Sequence, residues 1–503
     1  MFAGWSAPHH LVLNTQKVEV QKKPNILFVI ADDQSYPHAS AYKTAGIKTP
    51  AFDRIAKEGI LFNNAFSAAP SCSPSRAAIL TGKNCWQLEN AGTHDSSFPI
   101  QYKTYPDLLE HVGYSIGFTG KGWGPGNYKA SGRLRNPAGI EYNRIKMTVP
   151  KGISPVDYAA NFSAFFQAKP KDSPFCFWVG GNEPHRSYKK GIGSENGIKS
   201  SQIEVPGFLP NHTAIRDDMA NYFYEIQWFD NHLKRIIEML DKAGELDNTI
   251  IVVTSDNGMP FPRAKANVYE YSLHMPLAIR WGNKIKGNRV VDDLVSLTDI
   301  APTFIEAAGI NPGKTEFSGQ SLLPIFLSSK QGLVTNNRQA VYASRERHSS
   351  SRWNNLGYPQ RCIRTQNYLY IWNVKPERWP AGDPKVYDKN NQLPENDNAY
   401  FDIDEFNNSY IFNHRTEKPF DDYFQWAVSK RPEVELYDIK KDPSCLKNLA
   451  KNPNFAEIRK TLKEKLQTYL QKTNDPRMGE NGEIFETYPR YSPIRNFPNP
   501  DKN

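Results

Sequence analysis

Cys72-Ser73-Pro74-Ser75-Arg76, running on to Leu80-Thr81-Gly82, puts a cysteine, an arginine and a helix-starting proline into one short stretch. Pro74 blocks helix ahead of itself and suits a first helical turn. Cys72 and Arg76 are therefore expected at a helix N-terminus, where free backbone N–H groups and the helix dipole favour an anion. Two further pairs, Asp32-Asp33 and Asp256-Asn257, each follow an apolar run closely. Their donors are all oxygens, which suits a hard cation such as Ca²⁺ or Mg²⁺ rather than zinc. Taken alone, either pair fits a turn or a helix cap, and a single cysteine fits a buried structural role. It is their joint occurrence that points to chemistry.

The elements that must position these groups follow from apolar patterning. Residues 25–31 form a continuous apolar run, the mark of a strand buried on both faces, with Asp32 and Asp33 at its C-terminal end. In open α/β sheets that edge binds ligands. The almost wholly β-branched run 249–254 delivers Asp256 and Asn257 in the same way. Further strands are expected at 60–66, 115–119, 175–179 and 276–281, and helices at 49–56, after Cys72, and at 104–112, 216–242 and 299–308. The alternation predicts an α/β catalytic domain over 24–335, built on a doubly wound, mainly parallel sheet. Beyond it the sequence turns polar and aromatic. Only 339–344, 368–372 and 435–438 read as strands, and 454–473 reads as an amphipathic helix. This predicts a smaller C-terminal α+β domain over 336–480 and an irregular tail over 481–503.

At 503 residues the chain has length for two domains. Lys and Arg number 62 against 53 Asp and Glu, and the net charge of +9 suits an acidic substrate. No basic arm or aromatic–basic RNA motif occurs, so nucleic acid is not an expected partner. No run is long and apolar enough for a membrane span, and residues 1–23 lack a continuous apolar signal core. The 5 cysteines (72, 85, 176, 362 and 445) are odd in number and lack metal-type spacing, which argues against a disulfide framework.

Together, the C-x-P-S-R string with its L-T-G continuation and the two oxygen pairs resemble the sulfatase family, which has an alkaline-phosphatase-like fold. The resemblance implies that a maturation enzyme oxidises Cys72 to Cα-formylglycine. The hydrated aldehyde attacks sulfur, and its second hydroxyl later expels the sulfate. It also implies one Ca²⁺ (Mg²⁺ being the alternative), held by Asp32, Asp33, Asp256, Asn257 and an oxygen of the modified Cys72 and acting as a Lewis acid. Gly120-Lys121 matches the family's G-K motif, Pro184-His185 its P-H motif, and Lys265 the lysine that follows D-N-G. By the same resemblance Arg76, Lys121 and Lys265 serve the sulfate with positive charge, and His185 protonates the departing group.

One position departs from the pattern. Many sulfatases read G-K-x-H, and here Trp123 stands where that histidine, the favoured base, would be. His94 and His348 are candidates for its role by residue type only. Residues 254–262, Pro184-His185-Arg186, 358–361 and 435–438 resemble the sulfamidase (heparan N-sulfatase) branch. The implied substrate is a sulfate ester or sulfamate on a sulfated glycan, and the implied setting is exported: periplasmic, secreted or lysosomal-type. Arg345, His348 and Arg361 are expected to read anionic groups on neighbouring sugars, with His94 and Trp123 also placed at the substrate. The plain alternative is a solvated loop with an internal Glu346 salt bridge. Two rival readings stay open. An alkaline-phosphatase-like phosphodiesterase or phosphonate hydrolase shares the architecture, although no D-x-x-x-H zinc spacing is present; the other rival is a non-catalytic, glycan-binding pseudo-sulfatase. The oligomeric state is not specified by the sequence.

Overall fold

Buried on both faces, the apolar run Asn25–Ala31 (β1) becomes the centre of an eight-stranded sheet. It pairs in parallel with Phe175–Gly180 on one side and Thr249–Ser255 on the other. A computed structural model describes residues 1, 22–311, 317–385, 400–406 and 409–492. The other main-sheet strands are Ile60–Phe66 (β2), Ser115–Gly120 (β3), His274–Trp281 (β6), Arg289–Val291 (β7) and Val295–Ser296 (β8), with Phe175–Gly180 as β4 and Thr249–Ser255 as β5. The order is β3-β4-β1-β5-β6-β2-β7, with β8 also on β2. Two apolar clusters cover the two faces, one including Phe28, Ile30 and Trp178, the other Leu27, Val29 and Phe177. The 30-residue helix Thr213–Lys242 supplies Leu233, Ile236 and Leu240 to the second.

Parallel pairing has one consequence that matters for function. β1, β3, β4 and β5 end on the same edge, so Asp32, Lys121, Asn182 and Asp256 emerge side by side. The strand at 276–281 was expected to continue the parallel alternation, and it runs antiparallel to β5 instead. The loop 256–273 stays on the ligand edge, so the chain re-enters the sheet from that edge and must run the other way.

A second, four-stranded antiparallel sheet has the order β12-β11-β10-β9, formed by Val341–Arg345 (β9), Gln360–Arg364 (β10), Tyr368–Asn373 (β11) and Val434–Asp438 (β12). Three of these strands are legible in the sequence. β10, Gln-Arg-Cys-Ile-Arg, is not, because its buried arginines break the apolar pattern. The helix Ala456–Lys472 buries Leu462, Leu466 and Leu470 against this sheet, each contributing about 1.5–3 kcal/mol. The expected irregular tail is partly docked. Ile484–Thr487 is a helical turn with Phe485 buried, and the Tyr491 N–H donates to the Asp95 carbonyl at 2.8 Å. Residues 493–503 of that tail, like nearly all of 1–23, lie outside the described residues. No described helix is long and apolar enough to cross a membrane, and all five cysteines are free and buried.

Candidate active site at the C-terminal edge of the main sheet

The helix Cys72–Thr81 begins at Cys72, with Ser71 extended before it and Pro74 inside the first turn. Every residue of this helix is buried, so its start is fixed by packing as well as by sequence. Cys72 Sγ lies 3.3 Å from Asp32 Oδ1 and 4.0 Å from Asp33 Oδ1. Burial and the Asp32 carboxylate push its thiol well above the ordinary range. A thiol held protonated in this way is a poor nucleophile.

Around Cys72 the carboxylates and cations interlock. Lys121 Nζ lies 2.6 Å from Asp32 Oδ2, and Lys265 Nζ lies 2.7 Å from Asp33 Oδ2 and 2.8 Å from Asp404 Oδ2. Gly120 explains why the lysine at 121 is preceded by glycine. It sits at φ +72°, and a Cβ there would fall 1.9 Å from the Gly180 carbonyl oxygen. Asp33, at φ 76°, occupies the left-handed region that Asp tolerates better than most residues. Its N–H donates to Asp256 Oδ1 at 3.1 Å, tying the end of β1 to the end of β5.

The electrostatics follow from burial and partners. Burial pushes Asp32 up, but Lys121, Arg76 and His185 outweigh it and hold the carboxyl well below the usual range. Asp256 is pushed up to about 6, by burial first and by Asp32 among its neighbours, against the pull of Arg76. For Lys121 and Lys265 burial works against the charge, yet Asp32 and Asp33 respectively keep both raised.

These residues fit a hard cation. Asp32, Asp33 and residue 72 offer ligand atoms within 4.8 Å of one another. Asn257 Oδ1 is buried and has no hydrogen-bond partner, the state expected of an oxygen reserved for a ligand. Sulfur is the one soft donor in the set, and exchanging it for oxygen at position 72 would complete a hard site. A bound cation would also relieve the strain of keeping Asp256 ionised.

Several expected site residues line one cavity of about 640 Å³: Asp32, Cys72, Lys121, His185, Lys265, and with them His94 and His348. His185 Nε2 lies 3.8 Å from Asp33 and 3.9 Å from Asp404, and its Nδ1 lies 2.6 Å from the Arg186 carbonyl. His94 and His348 stack at a tilt, their ring centroids 4.4 Å apart.

Other expectations are corrected. Arg76 is fully buried, bonded to Asp256 Oδ2 at 2.8 Å and to the Lys121 carbonyl at 2.7 Å. It braces the cavity from behind and does not line it. Trp123 is also buried, and its indole N–H donates to the Ser73 carbonyl at 3.0 Å. It clamps the start of the Cys72 helix and neither faces the substrate cavity nor can accept a proton. Arg345 is buried on Asp402 at 2.8 Å. Arg361 is buried on Asp475 at 2.9 Å and Glu346 at 2.8 Å. Both arginines are buried on strands of the second sheet, and neither lines the cavity. The solvated-loop alternative fails as well, because Glu346 pairs with Arg361 and Arg477 rather than within its own loop.

Sequence reasoning missed Asp404, Asp95, Asn182, Arg186, Arg490 and Ser492, which also line the cavity. Asn182 and Arg186 flank the P-H motif and were within reach of it. Asp404, Arg490 and Ser492 come from polar, aperiodic stretches that carry no local signal.

Residues 24–310 match the family described as Sulfatase, and residues 263–418 match the N-sulphoglucosamine sulphohydrolase C-terminal family. The ulvan-active sulfatase of Formosa agariphila is 28% identical over 466 residues, covering 91% of this chain and 82% of that protein. Human N-sulphoglucosamine sulphohydrolase is 27% identical over 515 residues, covering 90% of this chain and 91% of its own. A solved structure in complex with its substrate D-glucosamine-2-N,6-O-disulfate superposes with a TM-score of 0.63 at 22% identity, covering 91% of this chain and 100% of that one; at that identity the likeness speaks to the fold. With more than half of its length matched, the chain belongs to the sulfatase family, near the sulfamidase branch.

Proposed function

We propose that this sulfatase removes sulfate, as an ester or a sulfamate, from a sulfated glycan, with Cys72 converted to formylglycine by a maturation enzyme and one Ca²⁺ (Mg²⁺ the alternative) held by Asp32, Asp33, Asp256 and Asn257. The observation that carries the reading is Cys72 itself. It is buried at the start of its helix, its Sγ 3.3 Å from Asp32 Oδ1 and grouped with Asp32 and Asp33 as a ligand set, the place where an oxygen on residue 72 would serve both cation and sulfate. The relatives act on ulvan or sulphoglucosamine by their names, which supports a sulfated glycan as the substrate class. Export follows from the family resemblance and forms part of the same proposal.

The chain's own residues divide the work. Lys121 and Lys265 direct ammonium groups at the cavity and neutralise the sulfate oxygens as charge builds on them. His185, flanked by Asp33 and Asp404, is placed to hold a proton for the departing oxygen or nitrogen. Arg76 and Trp123 fix the N-terminus of the Cys72 helix from behind. The cation, when bound, supplies Lewis-acid polarisation of the sulfate. The modified residue supplies a hydrated-aldehyde nucleophile.

The test combines two measurements on protein made in a host with maturation machinery. Mass spectrometry of the peptide bearing residue 72 should show the thiol replaced by an aldehyde, and a panel of sulfated glycans should release inorganic sulfate. A thiol-bearing peptide in fully active enzyme would sink the modification. Turnover of phosphate or phosphonate esters without sulfate release would move the protein to the rival hydrolase class.

A further inference from the structure

Charge is distributed unevenly around the cavity. On the Cys72 side, Lys121 and Lys265 close on Asp32, Asp33 and Asp404. On the opposite chemical footing is the wall made by the docked tail. Arg490 lies there with its side chain 4% exposed, Nη1 donating to the Ser492 carbonyl at 3.2 Å and Nη2 3.7 Å from Asp95 Oδ2. The tail is held in place by the Tyr491 N–H on the Asp95 carbonyl at 2.8 Å and by Ser96 Oγ on the Pro489 carbonyl at 2.7 Å. Arg490, Ser492, His94 and His348 all line the cavity.

Arg347 stands in the electrostatic reach of Arg490 and Asp95, 2% exposed, with no hydrogen-bond acceptor on any of its three guanidinium nitrogens. The acids near it are committed elsewhere, Glu346 to Arg361 and Arg477, and Glu486 to Arg378 and Arg477. Burial, with Arg490 adding to it against Glu486, pushes Arg347 down to about 10, so it is still charged at neutral pH. A buried charge without a partner is costly, by several kcal/mol in the usual case. His94 reports the same field. Burial, then His348 and Lys265, hold it well below its ordinary range, and its ring Nδ1 has no hydrogen-bond partner, while its backbone N–H donates to the Arg347 carbonyl at 3.1 Å.

We propose that His94, His348 and Arg490, with Arg347 at their back, form a subsite for a second anionic group on the substrate, a further sulfate or a uronate carboxylate beside the group that is cleaved. The proposal rests on the sulfatase reading and specifies its substrate as at least dianionic. Arg490 offers a planar fork that a sulfate or carboxylate accepts bidentately, and the anion supplies the counter-charge that Arg347 lacks. The neutral His94 gives a hydrogen bond without adding to the positive excess. The cavity volume of about 640 Å³ lies within the range of sites that enclose small molecules.

The test compares three substrates on mature enzyme: glucosamine-2-N-sulfate, glucosamine-2-N,6-O-disulfate, and a disaccharide with one sulfate and one uronate. Arg490→Gln should raise KM about tenfold or more on whichever dianionic substrate uses the subsite, leave its kcat within about twofold, and leave the monosulfate unchanged; Arg490→Lys should fall between. Equal losses on mono- and dianionic substrates, or no loss on any, would overturn the proposal. Calorimetry on Cys72→Ala protein gives a readout without turnover: the dianion should bind more tightly than the monosulfate, and adding Arg490→Gln should abolish that preference. If the wild type released no sulfate from any glycan, the sulfatase reading would fail while this binding comparison still decided the subsite, absence of a dianion preference refuting it. Arg347→Met should raise the melting temperature of the free protein and weaken dianion binding. A lowered melting temperature with unchanged affinity would remove Arg347 from the site.

Discussion

The charges at the end of the main sheet and those inside the second sheet both pair acids with cations away from bulk water, lysines in the first and arginines in the second, and are put to different ends. Asp32, Asp33 and Lys121 stand at the C-terminal ends of strands and Lys265 in the loop after β5; they pair across the sheet edge, and Asp32, Lys121 and Lys265 still line a cavity. Arg345, Arg361 and Arg364 stand along strands, and each closes on acids brought from elsewhere in the chain: Asp402, Asp475 with Glu346, and Glu270. The first arrangement leaves room for a cation and an anion to join it. The second is closed on its own acids, and none of its three arginines lines that cavity. Buried ion pairs of the closed kind contribute little net stability but are costly to break, which makes them a device for register between segments. What separates function from structure here is therefore first where a charge ends relative to the sheet edge.

The sharpest test of the open arrangement is Cys72→Ala. If residue 72 supplies the nucleophile, turnover of a sulfated glycan should fall by about 10⁴-fold or more while the melting temperature holds, since the side chain is small and the helix is packed on all sides. A variant that lost its fold instead would show residue 72 to be structural and erase the contrast. Asp256→Asn comes next. It keeps the shape of a side chain that binds Arg76 and two backbone N–H groups, yet removes a hard anionic ligand. Turnover should drop by about 10²-fold or more together with bound metal, measured by elemental analysis. Full metal content with lost activity would take Asp256 out of the cation site.

What the sequence made legible follows the same division. Asp32-Asp33 and Asp256-Asn257 could be placed together because each ends a long apolar strand, and parallel pairing brings such ends to one edge. The Cys72 helix start was legible because Pro74 and the L-T-G ending bracket it locally, with Gly82 at φ 65° as its left-handed cap. Asp404, Arg490 and Ser492 reach the cavity through long-range docking of aperiodic segments, and nothing within a few residues of them announces it. Arg345 and Arg361 misled for the converse reason. Their partners lie 57 and 114 residues away, so a local reading sees two free arginines where the fold has paired both. Trp123 shows a third case: where the G-K-x-H pattern carries a histidine, this chain has an indole whose N–H holds the Ser73 carbonyl, and the pattern alone could not show that.

The closed arrangement is probed by Arg361→Met. Removing the guanidinium leaves Asp475 buried without its main counter-charge and deprives Glu346 of one of two partners. The expected cost is about 3–5 kcal/mol by urea denaturation, with KM on sulfated substrates essentially unchanged in the folded fraction. A raised KM at unaltered stability would return Arg361 to the substrate and break the comparison.

The smallest expected effect concerns Glu225, which belongs to neither arrangement. It is 1% exposed on the helix Thr213–Lys242, and its Oε2 has no hydrogen-bond partner. Burial first, then Glu183, push its carboxyl up to about 10 against the pull of Arg186. Asp402 is the opposite case: burial is outweighed by Arg352 and Arg345, and its carboxyl is held well below the usual range. At Asp402 the folded chain binds fewer protons than the unfolded one, so the stability it contributes is complete above the ordinary value of 3.8 and is lost as pH falls below it. At Glu225 the folded chain keeps a proton that the unfolded chain releases, so stability is lost as pH rises from 4.5 towards about 10. Glu225→Gln removes that ionisation while keeping the shape. It should stabilise the protein by about 1–3 kcal/mol at pH ~8, and flatten the decline of melting temperature on the alkaline side while leaving the acid limb, where Asp402 acts, as it was. An unchanged alkaline limb would mean that Glu225 is ionised in the folded protein, and that Arg186 serves it as a counter-charge in a third closed pair.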